Sequence, residues 1–223
     1  MQRYGRSYKS LHACEASETE QGYLQVNVVN SENNFPIQGA DVLIRYQGEE
    51  APETNNSGQT ESIAVKAPPV ALSLDEQNTI RPYSEYTVTV TAPGFEPVTV
   101  NGTEILAGVT AIQPIRMIPA AEEQGTMEDI EIPDHTLYGT YPPKIAEEEI
   151  KPTNESGEIV LSRVVVPQTI VVHDGVPTDA TAKNYYVPYR DYIKNVASSE
   201  IYATWPQATI VANVLAIMSF TLN

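Results

Sequence analysis

The chain has 223 residues, which is enough for one or two domains of ordinary size. Its 29 acidic residues outnumber the 13 lysines and arginines, and the formal net charge of -16 disfavours nucleic acid and anionic membrane surfaces as partners. The single cysteine, Cys14, excludes an internal disulfide and any cysteine-based metal site. Neither a metal ion nor a cofactor is expected.

The amino-terminal 22 residues are predicted to be a disordered segment. Arg3, Arg6 and Lys9 are not followed by the apolar stretch that a secretion signal requires, so no signal peptide is recognised. Residues 10–22 are polar and carry no periodic apolar pattern.

Residues 23–118 are predicted to form a small β-sandwich, which makes the fold class mainly β. Apolar residues alternate along short segments that are separated by turn sequences such as Asn55–Gly58 and Pro93-Gly94. Six or seven such strands in about 95 residues is the spacing of a transthyretin-like or immunoglobulin-like sandwich. The alternating residues are Leu24, Val26 and Val28; Val42, Ile44 and Tyr46; Ile63 and Val65; Tyr86, Val88 and Val90; Val98 and Val100; and Ile112, Ile115 and Met117.

Residues 119–158 are predicted to be an exposed acidic linker that contains several prolines. Between positions 119 and 150 there are nine acidic residues and one lysine, Lys144, and large apolar residues are few. A segment of this kind cannot bury enough surface to offset its chain entropy. An acidic binding tract is the functional alternative.

The sequence becomes apolar again from residue 159. The runs 159–161, 164–167 and 170–172 are predicted to be buried strands, and Asp191–Ile201 shows helical periodicity. Thr204 and Gln207 have capping-box spacing before a final helix, Gln207–Leu222, which is apolar on nearly every side. The apolar run from Ala208 spans about 15 residues, short of the roughly 20 that a membrane helix needs.

Glu200 lies on the apolar face of the helix predicted over Asp191–Ile201. Ile193, Val196, Ala197 and Ile201 occupy positions i, i+3, i+4 and i+8, and Glu200 takes position i+7. The carboxylate is therefore either paired, at the edge of the helix, or desolvated. Desolvation raises the pKa of a carboxyl group, which a general acid near neutral pH requires.

The three histidines give no metal site by their spacing. His12, His135 and His173 do not have ligand spacing with one another or with Cys14. His173-Asp174 has the composition of an acid–base pair, but a loop after a strand is the favoured interpretation.

The strand region resembles the carboxypeptidase regulatory-like, or transthyretin-like, domains over about 95 residues. The matching segments are Phe35–Val42, Asn56–Thr60, Tyr86–Val88, Ala92–Phe95 and Pro97-Val98. Domains of that family are usually accessory modules, so the resemblance implies no catalysis by this part of the chain.

The carboxyl-terminal region resembles the signature of the stage II sporulation protein D (SpoIID/LytB) family. The resemblance lies in Tyr192–Ile201, then Thr204-Trp205-Pro206 and the apolar helix. Clostridial spore cortex-lytic enzymes of the SleC type are similar in this signature and in a sandwich-like pro-region that precedes it. The resemblance covers residues 23–223, with 159–223 as the start of an incomplete catalytic domain.

This resemblance implies a peptidoglycan lytic transglycosylase of the spore cortex, made as a zymogen and activated by a subtilisin-like germination protease. It identifies Glu200 as the catalytic acid, and Tyr202 and Trp205 as candidate walls of the sugar cleft, although core packing is an alternative for both rings. The chain is expected to be inactive without further catalytic-domain sequence. The competing hypothesis is a non-catalytic binding or inhibitory module of the spore or cell wall.

Overall fold

The structure is a computed structural model that describes residues 19–45, 49–50, 52–120, 127–139, 165–176 and 179–222. The chain divides into two compact units, residues 1–130 and 131–223. The fold is mainly β, as predicted, with several sheets and few helices.

The first unit contains two β-sheets. The three-stranded sheet has the order β4 (Ile63–Ala67), β1 (Glu20–Asn30), β7 (Thr110–Met117). The five-stranded sheet has the order β3 (Glu49–Glu50), β2 (Asp41–Arg45), β5 (Ser84–Thr91), β6 (Val98–Ile105), β8 (Glu128–Glu131), and a short helix, α1 (Ala71–Leu74), lies between β4 and β5.

Strands β1 and β7 pair in parallel, whereas β1–β4, β2–β3, β2–β5 and β5–β6 are antiparallel pairs. The parallel register places Val28 opposite Ile115 and Asn30 opposite Met117. The two sheets are joined by hydrogen bonds between side chains and backbone, since the Tyr86 hydroxyl on β5 donates to the Lys66 carbonyl on β4 at 2.9 Å.

The core of this unit consists of the alternating residues that the sequence singles out. Leu24, Val26 and Val28 have no exposed surface, and the inward residues of the partner strands are at most 1% exposed. Those partners are Val42, Ile44, Val88, Val90, Val98, Val100, Ile115 and Met117. Period-2 apolarity therefore identified the buried face of each of these strands.

Three expectations for this unit are corrected. Ile112 is 59% exposed, because it has the opposite parity to Ile115 and Met117 along β7. Residues 128–131 are not linker but an edge strand of the five-stranded sheet, where all four side chains are exposed and no apolar alternation marks the strand. Strand β1 begins at Glu20, within the segment predicted to be disordered, whereas residues 1–18 lie outside the described residues.

The second unit contains a β-hairpin and two helices. Strand β9 (Thr169–His173) pairs antiparallel with β10 (Asn184–Pro188), and α2 (Tyr189–Glu200) and α3 (Gln207–Thr221) follow. Both helices lie where helical periodicity placed them. The Tyr189 hydroxyl, on α2, is 2.6 Å from the Thr221 hydroxyl on α3, which ties the start of one helix to the end of the other.

The strand expected over 170–172 is confirmed as part of β9, but the expectation that these segments are buried is wrong for the residues that the structure describes. Val165 and Val166 lie outside any strand and are about half exposed. Val171 on β9 is also about half exposed, because the hairpin exposes one face. Residues 159–161 and 164 lie outside the described residues. The N-cap of α3 is Pro206, two residues after Thr204, the residue expected to cap the helix.

Candidate active site

Glu200 is the last residue of α2, next to the short connection that leads to α3. Ile201 ends the helix in an extended conformation, and its N–H donates to the Ala197 carbonyl at 3.2 Å. A turn closed by the Trp205 N–H and the Tyr202 carbonyl at 3.1 Å then leads the chain into α3. This tight connection brings the side of α3 close to the carboxyl group of Glu200.

The Glu200 carboxylate is partly buried and is held by α3. The side-chain amide of Asn213 donates a hydrogen bond from Nδ2 to Glu200 Oε2 at 3.1 Å. Asn213 Oδ1 is buried and accepts no hydrogen bond from the described residues. The arrangement leaves the other oxygen of the carboxylate, Oε1, without this amide.

Asn213 is a site residue that the sequence argument missed. In the sequence, Asn213 is visible only as a single amide that interrupts the apolar run of α3. Nothing in that run indicates which residue the amide contacts. The partner is fixed only by the packing of α2 against α3, since the two residues are 13 positions apart and on different helices.

The two aromatic candidates are placed differently. Tyr202 is 7% exposed, and its ring centroid is 4.4 Å from that of His135 at an interplanar angle of 39°. Trp205 is partly exposed and meets Tyr202 edge-on, with 6.1 Å between ring centroids and an angle of 89°. Most of the Tyr202 ring is thus used in packing, which is the alternative weighed for it from sequence.

His135 is the second residue that the sequence argument missed, because it was weighed only as a metal ligand. It is 4% exposed and lies against the end of α2. The N–H of Leu137 donates to its Nδ1 at 3.2 Å. Burial lowers the pKa of His135 below its ordinary value, while backbone hydrogen bonds with Ile201 and Ser198 oppose that shift.

His173 does not pair with Asp174. Its two ring nitrogens lie 2.8 Å from Asn184 Oδ1 and 3.1 Å from the Val176 carbonyl, so the ring joins β9 to β10 and to the following turn. In the part of the chain that the structure describes, no three His, Cys, Asp or Glu side chains come together as a metal site. Among the same residues, no helix is long and apolar enough to cross a membrane.

Comparison with known proteins identifies no family for this chain. No family model matches the sequence, and none of the curated proteins matches it.

Among solved structures, the Bacillus anthracis TIE protein is 13% identical with a TM-score of 0.33, over 45% of this chain and 17% of that one. Hydroxyquinol 1,2-dioxygenase from Pseudomonas putida is 11% identical with a TM-score of 0.34, over 47% and 58%. The minor pilin GBS52 of Streptococcus agalactiae is 14% identical with a TM-score of 0.31, over 48% of each chain. The chain spans less than two thirds of each of these structures, and likenesses of this size carry no argument about activity or partners.

Proposed function

We propose that the chain is the amino-terminal part of a spore cortex-lytic zymogen of the lytic transglycosylase type, with Glu200 as its catalytic acid and base. The observation that carries this proposal is the partly buried carboxylate at the end of α2, which accepts a hydrogen bond from Asn213. Support also comes from the resemblance of Tyr192–Pro206 to the SpoIID/LytB signature, whose glutamate falls on Glu200.

The proposed reaction needs one carboxyl group. Protonated Glu200 gives its proton to the glycosidic oxygen as the bond from that oxygen to the anomeric carbon of the muramic residue breaks. The carboxylate then accepts the proton of the 6-hydroxyl of the same sugar, whose oxygen bonds to the anomeric carbon. The product is a 1,6-anhydromuramic end, no water is consumed, and Glu200 regains its proton. An ordinary glycosidase uses two carboxyl groups instead.

The β-sandwich in this proposal is a transthyretin-like pro-region, and its removal activates the enzyme at the spore cortex. A subtilisin-like germination protease would cut between residues 119 and 158, where acidic residues and prolines are frequent. Most of that segment lies outside the described residues, and residues 128–131 within it are already paired in a sheet. We therefore expect the first cuts outside 128–131.

The test of the proposed activity uses purified cortex peptidoglycan, with mass spectrometry to detect anhydromuramic products. The 223-residue chain is compared with a longer product of the same reading frame, and we expect activity in the longer one because more of the glycan groove would be present. Glu200→Gln should lower the rate by about 100- to 10,000-fold, the usual contribution of general acid–base catalysis. Asp191→Asn is the matched control, since Asp191 is exposed near the start of the same helix.

Two results would contradict the proposal. A longer chain in which Glu200→Gln stays fully active would remove Glu200 from the chemistry. Anhydromuramic products from the 223-residue chain would show that the described unit already encloses a working groove.

The alternative function is a non-catalytic module that binds or inhibits at the spore or cell wall. The observation that favours it is the burial of Tyr202, because a ring that is 7% exposed offers little surface to a sugar. This alternative predicts that the 223-residue chain sediments with cortex glycan, that Glu200→Gln binds equally well, and that no product forms.

A further inference from the structure

Two residues that precede the whole SpoIID-like signature lie against the end of α2. His135 and Thr136, here called the helix anchor, belong to the same compact unit as α2 and α3. They come from the segment predicted to be a linker, 63 positions before the helix residue that Thr136 contacts. Nothing in the proposed chemistry of Glu200 uses them.

The helix anchor supplies hydrogen bonds at the end of a helix that has no side-chain cap at its beginning. The last carbonyl groups of any α-helix lack intrahelical donors. The Thr136 hydroxyl donates to the Ser199 carbonyl, and the His135 ring lies near the backbone of Ser198 and Ile201. Every one of these contacts falls within two residues of Glu200.

Ring packing fixes the helix anchor from the other side. The His135 ring lies against Tyr202 at 4.4 Å, and Tyr202 in turn meets Trp205 at 6.1 Å. An aromatic contact of this kind adds to the burial of the rings themselves. The backbone on both sides of Glu200 is therefore held by residues outside α2 and α3.

We propose that His135 and Thr136 are positioning residues for Glu200, which hold the last turn of α2 so that the carboxylate meets Asn213. The inference rests on the proposed role of Glu200. Without the helix anchor the carbonyl of Ser199 turns to water, the last helical turn frays, and the 3.1 Å contact between Asn213 Nδ2 and Glu200 Oε2 is lost for part of the time.

The experiment needs no substrate, because the Asn213 side-chain amide is itself a reporter. In ¹⁵N-labelled 223-residue chain, Thr136→Val removes the hydroxyl donor and keeps the shape, while Thr136→Ser restores the donor. His135→Phe keeps a ring against Tyr202 and removes the ring nitrogens. Thr181→Val is the control, since the Thr181 hydroxyl donates to Asp179 in an exposed turn.

We expect Thr136→Val and His135→Phe to shift the Asn213 side-chain amide resonance towards that of Glu200→Gln. We also expect exchange of the Ile201 amide to become roughly 2- to 10-fold faster, the equilibrium effect of one lost hydrogen bond. Thr136→Ser and Thr181→Val should match the parent in both measurements. An effect on global stability alone would leave the Asn213 resonance of the folded state unchanged.

An unchanged Asn213 resonance in both Thr136→Val and His135→Phe overturns the positioning proposal, whatever the cortex assay gives. If the longer chain has no cortex activity, and the Asn213 resonance shifts as expected, the result counts against the proposed function alone. In a chain that is active, Thr136→Val should lower kcat and leave KM unchanged. An equal kcat for Thr136→Val and the parent would also overturn the proposal.

Discussion

Thr54 offers a sharp test of how the first unit is held together. Its side chain is 4% exposed, and its hydroxyl accepts from the Ala40 N–H at 2.9 Å and donates to the Ile37 carbonyl at 2.8 Å. Thr54→Val keeps the shape of the side chain but leaves both backbone groups without this partner. Unpaired buried groups cost about 1–3 kcal/mol each, so we expect a loss of about 2–6 kcal/mol from a total of about 5–15 kcal/mol.

The assay is urea unfolding of the full chain, followed by hydrogen exchange at the amides of β1 and β5. Thr54→Ser retains both hydrogen bonds and should lose much less. Thr110→Val, at the exposed start of β7, should stay within about 0.5 kcal/mol of the parent. If Thr54→Val is as stable as Thr110→Val, the two hydrogen bonds do not hold the 37–40 turn to the 52–54 segment, and the reasoning is refuted.

Three further outcomes are expected. The fragment 19–131 should unfold in one cooperative calorimetric transition, because it contains both apolar sheet faces and the edge strand β8; a broad melt would reject its boundary. Gly58→Ala should destabilise more than Gly94→Ala in urea, since both have positive φ but only at Gly58 would the new Cβ lie 2.3 Å from the Val28 carbonyl oxygen. Burial lowers the pKa of His135 from 6.5, so the unfolded state takes up a proton first as the pH falls. The stability of the second unit should therefore be complete above pH 6.5 and fall from there down to the lowered pKa, as followed by Trp205 fluorescence, and His135→Phe should remove this dependence.

The sequence predicted only part of the candidate site. The position of Glu200 on the apolar face of its helix left open whether its carboxylate was paired, at the helix edge or desolvated, and the structure shows it partly buried and hydrogen-bonded to Asn213. Its partner Asn213 and the helix anchor could not be predicted, because a hydrogen bond between two helices depends on how the helices pack and not on the sequence of either one.

The sequence by itself determined the local elements and their buried faces. Alternation along β1, β2, β5 and β6, and helical periodicity along α2, are short-range patterns, so each of these segments indicates which of its own sides is apolar. Such patterns carry no information about which segment lies next to which.

Only the tertiary structure decided the pairings that join distant segments. The parallel pairing of β1 with β7, the addition of the fully exposed β8 to a sheet edge, and the placement of His135 on Tyr202 all depend on contacts between residues far apart in the chain. The free energy of such contacts comes from filling space and satisfying hydrogen bonds in the assembled unit. The segment 128–139 is polar and rich in acidic residues. Its strand and its buried histidine therefore could not be predicted from its own sequence, because both depend on contacts with distant segments.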